Sequence, residues 1–179
     1  MPYTVLVGGA RSGKSAVALQ LAAESATEVT FVATARSTDP EMRERILRHV
    51  QDRPASWATV EAPLDAAAAV KGAPAQHTVV VDCVTVWLSN LVVESGLQPD
   101  EVLERVDEMI VACQAREALT ILVSNEVGMG IVPQTPLGRS FRDLQGTANQ
   151  RLTARADRVG LVVAGRVLDL SVSGDWIAR

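Results

Sequence analysis

Gly8-Gly9-Ala10-Arg11-Ser12-Gly13-Lys14-Ser15 follows directly on the apolar run Thr4-Val5-Leu6-Val7 and opens a stretch dense in Ala, Leu and Val, residues 15–26, that holds no Pro or Gly. The order is strand, glycine loop, helix, and the eight residues fit Gly-x-x-x-x-Gly-Lys-Ser. Glycines let the backbone curl so that successive amide N–H groups converge on a phosphate, and the following helix adds its positive end. In that arrangement Lys14 reaches the β- and γ-phosphates and the Ser15 hydroxyl ligates Mg²⁺. A bound nucleotide is implied, but not what is done with it.

Working outward, apolar strands alternate with helices. Residues 29–35, 77–83, 119–125 and 159–164 read as buried strands, with a possible short edge strand at 167–172. Helices are expected over 40–50, 65–70, 87–94, 99–117 and 136–157, the last interrupted by Gly146. This alternation predicts an α/β chain: three layers, a mostly parallel sheet, helices on both faces. Such sheets place ligands at the carboxyl ends of their strands. Asp82 ends the third strand, where a carboxylate would hold the water shell of Mg²⁺, or else caps the helix starting near Val84. Asn125 and Glu126 end the fourth. The apolar loop after them, residues 127–133, either covers a ligand or is a buried connection.

On the helix over 40–50, Met42, Ile46 and Val50 form an apolar stripe, and His49 lies about 20° from Met42 around the wheel. Arg45 and Arg53 flank that line. A lone histidine in such a place ordinarily packs or snorkels, and His77, at the start of a strand, reads as structural. The helix over 136–157 carries Leu137, Phe141, Leu144, Ala148 and Leu152 on one side. Arg139, Arg142, Asp143, Asn149, Gln150 and Arg151 lie on the other, either as solvated surface or as a reader of a phosphorylated or amide-bearing substrate.

The 179 residues suit one catalytic domain with a single large core. A net charge of −4 and only two lysines, Lys14 and Lys71, disfavour sequence-independent nucleic-acid binding. Cys83 and Cys113 sit in apolar segments without a pairing pattern and read as reduced core residues. No signal peptide or membrane span is readable, so a cytoplasmic protein is expected.

Several blocks together resemble one family, the bifunctional adenosylcobinamide kinase/adenosylcobinamide-phosphate guanylyltransferases of cobalamin biosynthesis. They are Gly8 to Ser15, Glu41-Met42 with Arg45-Ile46 and His49, Arg53-Pro54 with Trp57, Val81-Asp82-Cys83 with Trp87-Leu88 and Asn90-Leu91, residues 124–133, and Phe141-Arg142-Asp143 with Gly146, Asn149-Gln150 and Ala156-Asp157. The resemblance covers the whole chain. It departs near the end, where Gly165-Arg166-Val167 replaces the family's usual Gly-x-Pro and a tail runs on through Trp176.

The resemblance implies a RecA-like P-loop fold, commonly a homotrimer, that phosphorylates adenosylcobinamide with ATP or GTP. It then transfers GMP from GTP to the resulting adenosylcobinamide phosphate, with His49 carrying the GMP covalently. Nucleotide contacts implied by motif position are Gly8, Gly9, Ala10, Arg11, Ser12, Gly13, Lys14 and Ser15, then Ala33, Thr34 and Ala35, then Val50, Gln51, Asp52 and Arg53, with Glu61 and Asp82. Ser15 and Asp82 would hold Mg²⁺, and Lys14 and His49 would carry the catalysis. Two alternatives remain open. One is a P-loop kinase for another metabolite, with His49 structural. The other is a GTP-dependent switch, which the absence of Asn-Lys-x-Asp and Thr-Lys-x-Asp disfavours.

Overall fold

A computed structural model describes residues 3–37, 40–51 and 53–171, except the side chains of residues 40–42, 45, 48 and 49. In chain order the elements are β1 (Tyr3–Gly8), α1 (Lys14–Glu24), β2 (Val29–Ala33), α2 (Pro40–Gln51), β3 (Ala58–Glu61), α3 (Ala66–Gly72), β4 (Thr78–Asp82), α4 (Val84–Val93), α5 (Pro99–Gln114), β5 (Thr120–Asn125), α6 (Pro136–Ala154), β6 (Arg158–Val163) and β7 (Arg166–Asp169). The strands form one sheet in the order β3-β2-β4-β5-β1-β6-β7. Every pairing is parallel except the last, β6 with β7.

Strand alternation divides the core in two. Tyr3, Val5, Val7, Val79, Val81 and Leu122 face one side and pack against α3, α4, α5 and α6, while Leu6, Phe31, Val80, Ile121 and Val123 face the other, with Ala18 and Ala22 of α1. Both faces are therefore apolar, which is why the central strands read as continuous runs of Val, Ile and Leu. The amphipathic helix α5 contributes Val102, Leu103, Val106, Met109, Ile110 and Cys113, all buried. Its start is fixed by a reciprocal pair of bonds between Gln98 and Glu101 and by Pro99 in the first turn.

Two expectations change, and one strand appears that the sequence does not announce. β3 has only four residues, all exposed at the sheet edge, so its Ala58 and Val60 form no buried run. Gly146 does not interrupt α6, which runs unbroken for 19 residues. A glycine there costs about 1 kcal/mol in propensity, and burial of Leu144, Ala148 and Leu152 outweighs it. Asn149 belongs to the buried side of α6, not its solvated face. The edge strand expected over 167–172 is β7. It turns back on β6 through Ala164 and Gly165, both at positive φ (50° and 74°), the geometry of a tight hairpin. Trp176, in the C-terminal tail, lies outside the described residues.

Candidate nucleotide site

The parallel register sets the tips of β1 to β5 side by side along one edge. Gly8 pairs with Asn125, Ala33 with both Glu61 and Asp82, and Asp82 with Val123. The residues expected to act are thus brought to one end of the sheet by strand pairing alone, as the rule for parallel sheets requires.

The phosphate loop is built closely against β6. A Cβ at Gly8 would stand 2.3 Å from the Val162 carbonyl oxygen and 2.9 Å from Ser12 Oγ, so no side chain fits there. Gly13 caps α1 with φ at 101°, a left-handed conformation natural to glycine, and Arg11 holds φ at 56°. The β6–β7 turn seals the loop: Gly165 N–H donates to the Ser12 carbonyl at 2.8 Å.

Lys14 is buried, 6% exposed, and its ammonium donates to the carbonyls of Gly8 (2.9 Å) and Gly9 (2.6 Å) and to Ser12 Oγ (3.4 Å). These carbonyl partners hold the charge at the mouth of the loop, ready to be exchanged for phosphate oxygens. α1 begins with no side-chain cap and no acid in its first turn, which leaves its positive end for an anion.

Beside this loop, across the tip of β5, a cavity of about 530 Å³ opens at the ends of β2, β3 and β4 under α2. Ala33, Ala35, Val50, Arg53, Glu61 and Asp82 line it, all expected contacts; Phe31, Ile46 and Val86 give it an apolar wall, and Thr59 adds a hydroxyl. Its size suits a nucleoside-sized ligand. The Arg53 guanidinium lies 3.9 Å from the centroid of the Phe31 ring and donates to Thr59 Oγ1 at 3.4 Å. Burial lowers its pKa and the charge of Asp82 opposes that shift, so a half-buried cation lies within reach of the Asp82 carboxylate.

Thr34 plays a different part from its neighbours. Its hydroxyl bonds both the N–H and the C=O of Cys83 at 2.8 Å, its N–H donates to the Asp82 carbonyl at 3.4 Å, and its own carbonyl accepts from Asn90 at 2.9 Å. It ties β2 to β4 and so fixes Asp82. The N-cap position of α4 is held by Cys83, so capping does not account for Asp82.

Ser15 Oγ and the Asp82 carboxylate, both half-buried, are hard oxygen donors that suit Mg²⁺, an ion that takes few protein ligands and completes its shell with phosphate and water. Among the described residues no group of three or more His, Cys, Asp and Glu gathers as a denser metal cage. His49 sits in α2 three positions after Ile46, which lines the cavity; its side chain, and Asp52, lie outside the described residues. His77 is structural, its ring bonded to Thr30 and to Glu28.

Sequence reasoning missed a buried polar cluster behind β5. Ser124 Oγ donates to Asn149 Oδ1 (2.6 Å), Gln145 Nε2 donates to both (3.0 Å each), and Asn149 Nδ2 donates to the Asn125 carbonyl (3.0 Å). The signal was the i, i+4 spacing of Gln145 and Asn149 on the side of α6 that also buries Leu144 and Leu152.

A family model described as cobinamide kinase / cobinamide phosphate guanyltransferase matches residues 4–170. The bifunctional adenosylcobalamin biosynthesis protein CobP of Pseudomonas aeruginosa is 42% identical over 168 residues, 93% of this chain and 95% of that protein. The bifunctional adenosylcobalamin biosynthesis proteins CobU of Salmonella typhimurium and Escherichia coli are 42% and 41% identical over 174 residues, 90% of this chain and 95% of each. Among solved structures, the RadB recombinase superposes with a TM-score of 0.52 at 15% identity, over 89% of this chain and 73% of that one. The P4 protein of bacteriophage phi6, in complex with ADP, gives 0.50 at 16% identity, over 93% and 54%. These two share the fold. Among the described residues no helix is long and apolar enough to cross a membrane.

Proposed function

The chain belongs to the cobinamide kinase / cobinamide phosphate guanyltransferase family, and from that premise we propose how its residues divide two reactions on one acceptor. It is a bifunctional enzyme of cobalamin biosynthesis that phosphorylates cobinamide and then transfers a guanylyl group to the phosphate. The residue assignment rests above all on one observation. A buried Lys14 held on its own loop's carbonyls stands at the same sheet end as a cavity lined by Arg53, Glu61 and Asp82.

In the kinase step, the acceptor hydroxyl of adenosylcobinamide attacks the γ-phosphorus of ATP or GTP. The bond from that phosphorus to the β–γ bridging oxygen breaks, the nucleoside diphosphate leaves, and the hydroxyl proton is released to solvent. Lys14 and the amides of residues 8–15 hold the phosphates through this transfer, which depends chiefly on alignment and charge neutralisation. Mg²⁺, held by Ser15 and Asp82, would supply further neutralisation of phosphate charge.

In the guanylyl step, an imidazole nitrogen of His49 attacks the α-phosphorus of GTP and pyrophosphate departs. An oxygen of adenosylcobinamide phosphate then attacks the same phosphorus, breaking the P–N bond, freeing the imidazole and giving adenosylcobinamide-GDP. Two in-line displacements replace one between two anions. Ala33, Ala35, Val50, Gln51, Asp52, Arg53 and Glu61 would hold the guanosine end, with Arg53 offsetting charge on the α-phosphate, and Thr34 would support them through β4. One domain would carry both reactions. The resemblance alone supports a cytoplasmic homotrimer.

The test is to incubate the protein with α-labelled GTP, denature it, and look for base-stable, acid-labile label. Wild type takes up label and His49→Asn does not, while His49→Asn keeps kinase activity. An unlabelled wild type ends the covalent route, and label surviving in His49→Asn moves the nucleophile elsewhere.

A further inference from the structure

Four large apolar side chains within nine residues, Met129, Ile131, Val132 and Leu137, are more than half exposed, Met129 to 82% and Ile131 to 97%. The segment that carries them is tied down at both ends. Glu126 N–H donates to the Gly8 carbonyl at 2.9 Å, and Gly128 N–H donates to the Glu126 carboxylate at 2.6 Å. At the other end Thr135 Oγ1 accepts from Gly138 N–H at 3.1 Å, and Arg139 Nη1 donates to the carbonyls of Pro133 (3.2 Å) and Gln134 (2.8 Å). An anchored segment therefore presents apolar side chains to water, the mark of a surface that something covers.

Its root supplies a polar handle. Asn125 has its N–H bonded to Thr85 Oγ1 and its carbonyl to Asn149 Nδ2. Its half-buried side-chain amide makes no hydrogen bond among the described residues. An apolar surface with a few placed polar groups is the usual make-up of an organic ligand site.

We propose that residues 127–133 form the surface on which the corrin macrocycle of the acceptor lies while its hydroxyl reaches the phosphate loop. The choice of occupant follows from position and chemistry. The acceptor is a broad ring with apolar faces and amides at its rim, and its hydroxyl, on a flexible arm, must come within bonding reach of a phosphate held by Lys14. The cavity with its Arg53, Glu61 and Asp82, taken by the nucleotide, lies beyond β5 at the tips of β2, β3 and β4. The apolar segment leaves the tip of β5, which stands between that cavity and the phosphate loop, and it is joined to Gly8 itself. The proposal rests on the division of the site given above.

The experiment compares wild type, the double variant Met129→Ser with Ile131→Ser, and the single variant Ile131→Leu in the kinase reaction with adenosylcobinamide. The double variant raises KM for the corrinoid about tenfold, while Ile131→Leu stays within about twofold because the apolar surface survives. Labelling by GTP without corrinoid checks that the nucleotide half is intact. A KM for the double variant within twofold of wild type overturns the proposal. So does a change in its oligomeric state by light scattering, which would make the segment a contact with a second copy of this chain. Loss of GTP labelling in wild type would overturn the guanylyl-transfer reading alone and leave the KM comparison intact.

Discussion

Gly8 and Val162 meet so closely that a Cβ on the glycine would stand 2.3 Å from the valine's carbonyl oxygen. The clash is with backbone, which a rotamer change cannot relieve. Gly8→Ala must therefore push β6 away or reshape the phosphate loop, and overpacking of this kind costs about 1–3 kcal/mol. Because the one Gly8 carbonyl accepts from both the Lys14 ammonium and Glu126 N–H, the damage falls on nucleotide binding. Nucleotide affinity measured by calorimetry is expected to fall at least tenfold, and an unchanged affinity would show that the loop tolerates the shift.

Arg53 offers a finer test of the cavity. A lysine keeps the charge but not the planar group that stacks on Phe31 and reaches Thr59. Arg53→Lys is expected to raise KM for GTP in the guanylyl step about tenfold while the melting temperature moves by less than about 4 °C, since a cation–π pair at a partly exposed site is worth about 0.5–1 kcal/mol. An equal loss in the kinase step would show that both reactions draw on the same contact.

The parts of this arrangement that show in the sequence are those with a local signature. The strand, loop and helix from Thr4 onward are set by glycines at fixed offsets, and Asp82 by its place at the end of an apolar run. β3 leaves no trace because four exposed residues at the sheet edge make no buried apolar run. Phe31 reads as core, and only the tertiary approach of Arg53 makes it a stacking platform. Thr34 reads as a ligand contact from its place after β2, yet its hydroxyl is engaged by Cys83, 49 residues away in sequence. Long-range partners of this kind have no periodicity to betray them.

Arg116 is the clearest such case, a buried arginine beyond the end of α5. Nη1 donates to the carbonyls of Val70 and Ala73, and Nη2 to those of Pro74 and His77, all between 2.7 and 3.0 Å. The guanidinium thus fastens the connection from α3 into β4, the strand that ends in Asp82. Truncation to alanine strands several carbonyls from a charged donor, at about 1.5–3 kcal/mol for such a bond and less than additively for the set. Arg116→Ala is expected to lose about 3 kcal/mol in urea unfolding, with GTP labelling retained at low temperature. A loss under about 1 kcal/mol would mean that water replaces the guanidinium.

Cys113, buried in α5 at 1% exposure, gives a pH dependence whose sign follows from burial. Burial pushes its thiol up to about 12, with the charge of Arg116 opposing, and raises the Tyr3 phenol in the same way. The unfolded thiol ionises near about 8.5. Between those values the folded chain holds a proton that the unfolded chain has released, so the contribution is fully present below about pH 8.5 and drains away as pH climbs toward 12. One such proton changes stability by about 1.4 kcal/mol per pH unit. Wild type is therefore expected to lose about 2 kcal/mol more than Cys113→Ala between pH 8.5 and 10.5 in urea unfolding. Tyr3 stays in both proteins, so the burial that chiefly raises its phenol cancels from the comparison and only its smaller coupling to Cys113 is lost in the variant. Parallel losses in the two proteins would mean that the thiol ionises in the folded chain as it does in the unfolded one, and that the α5 side of the core admits water.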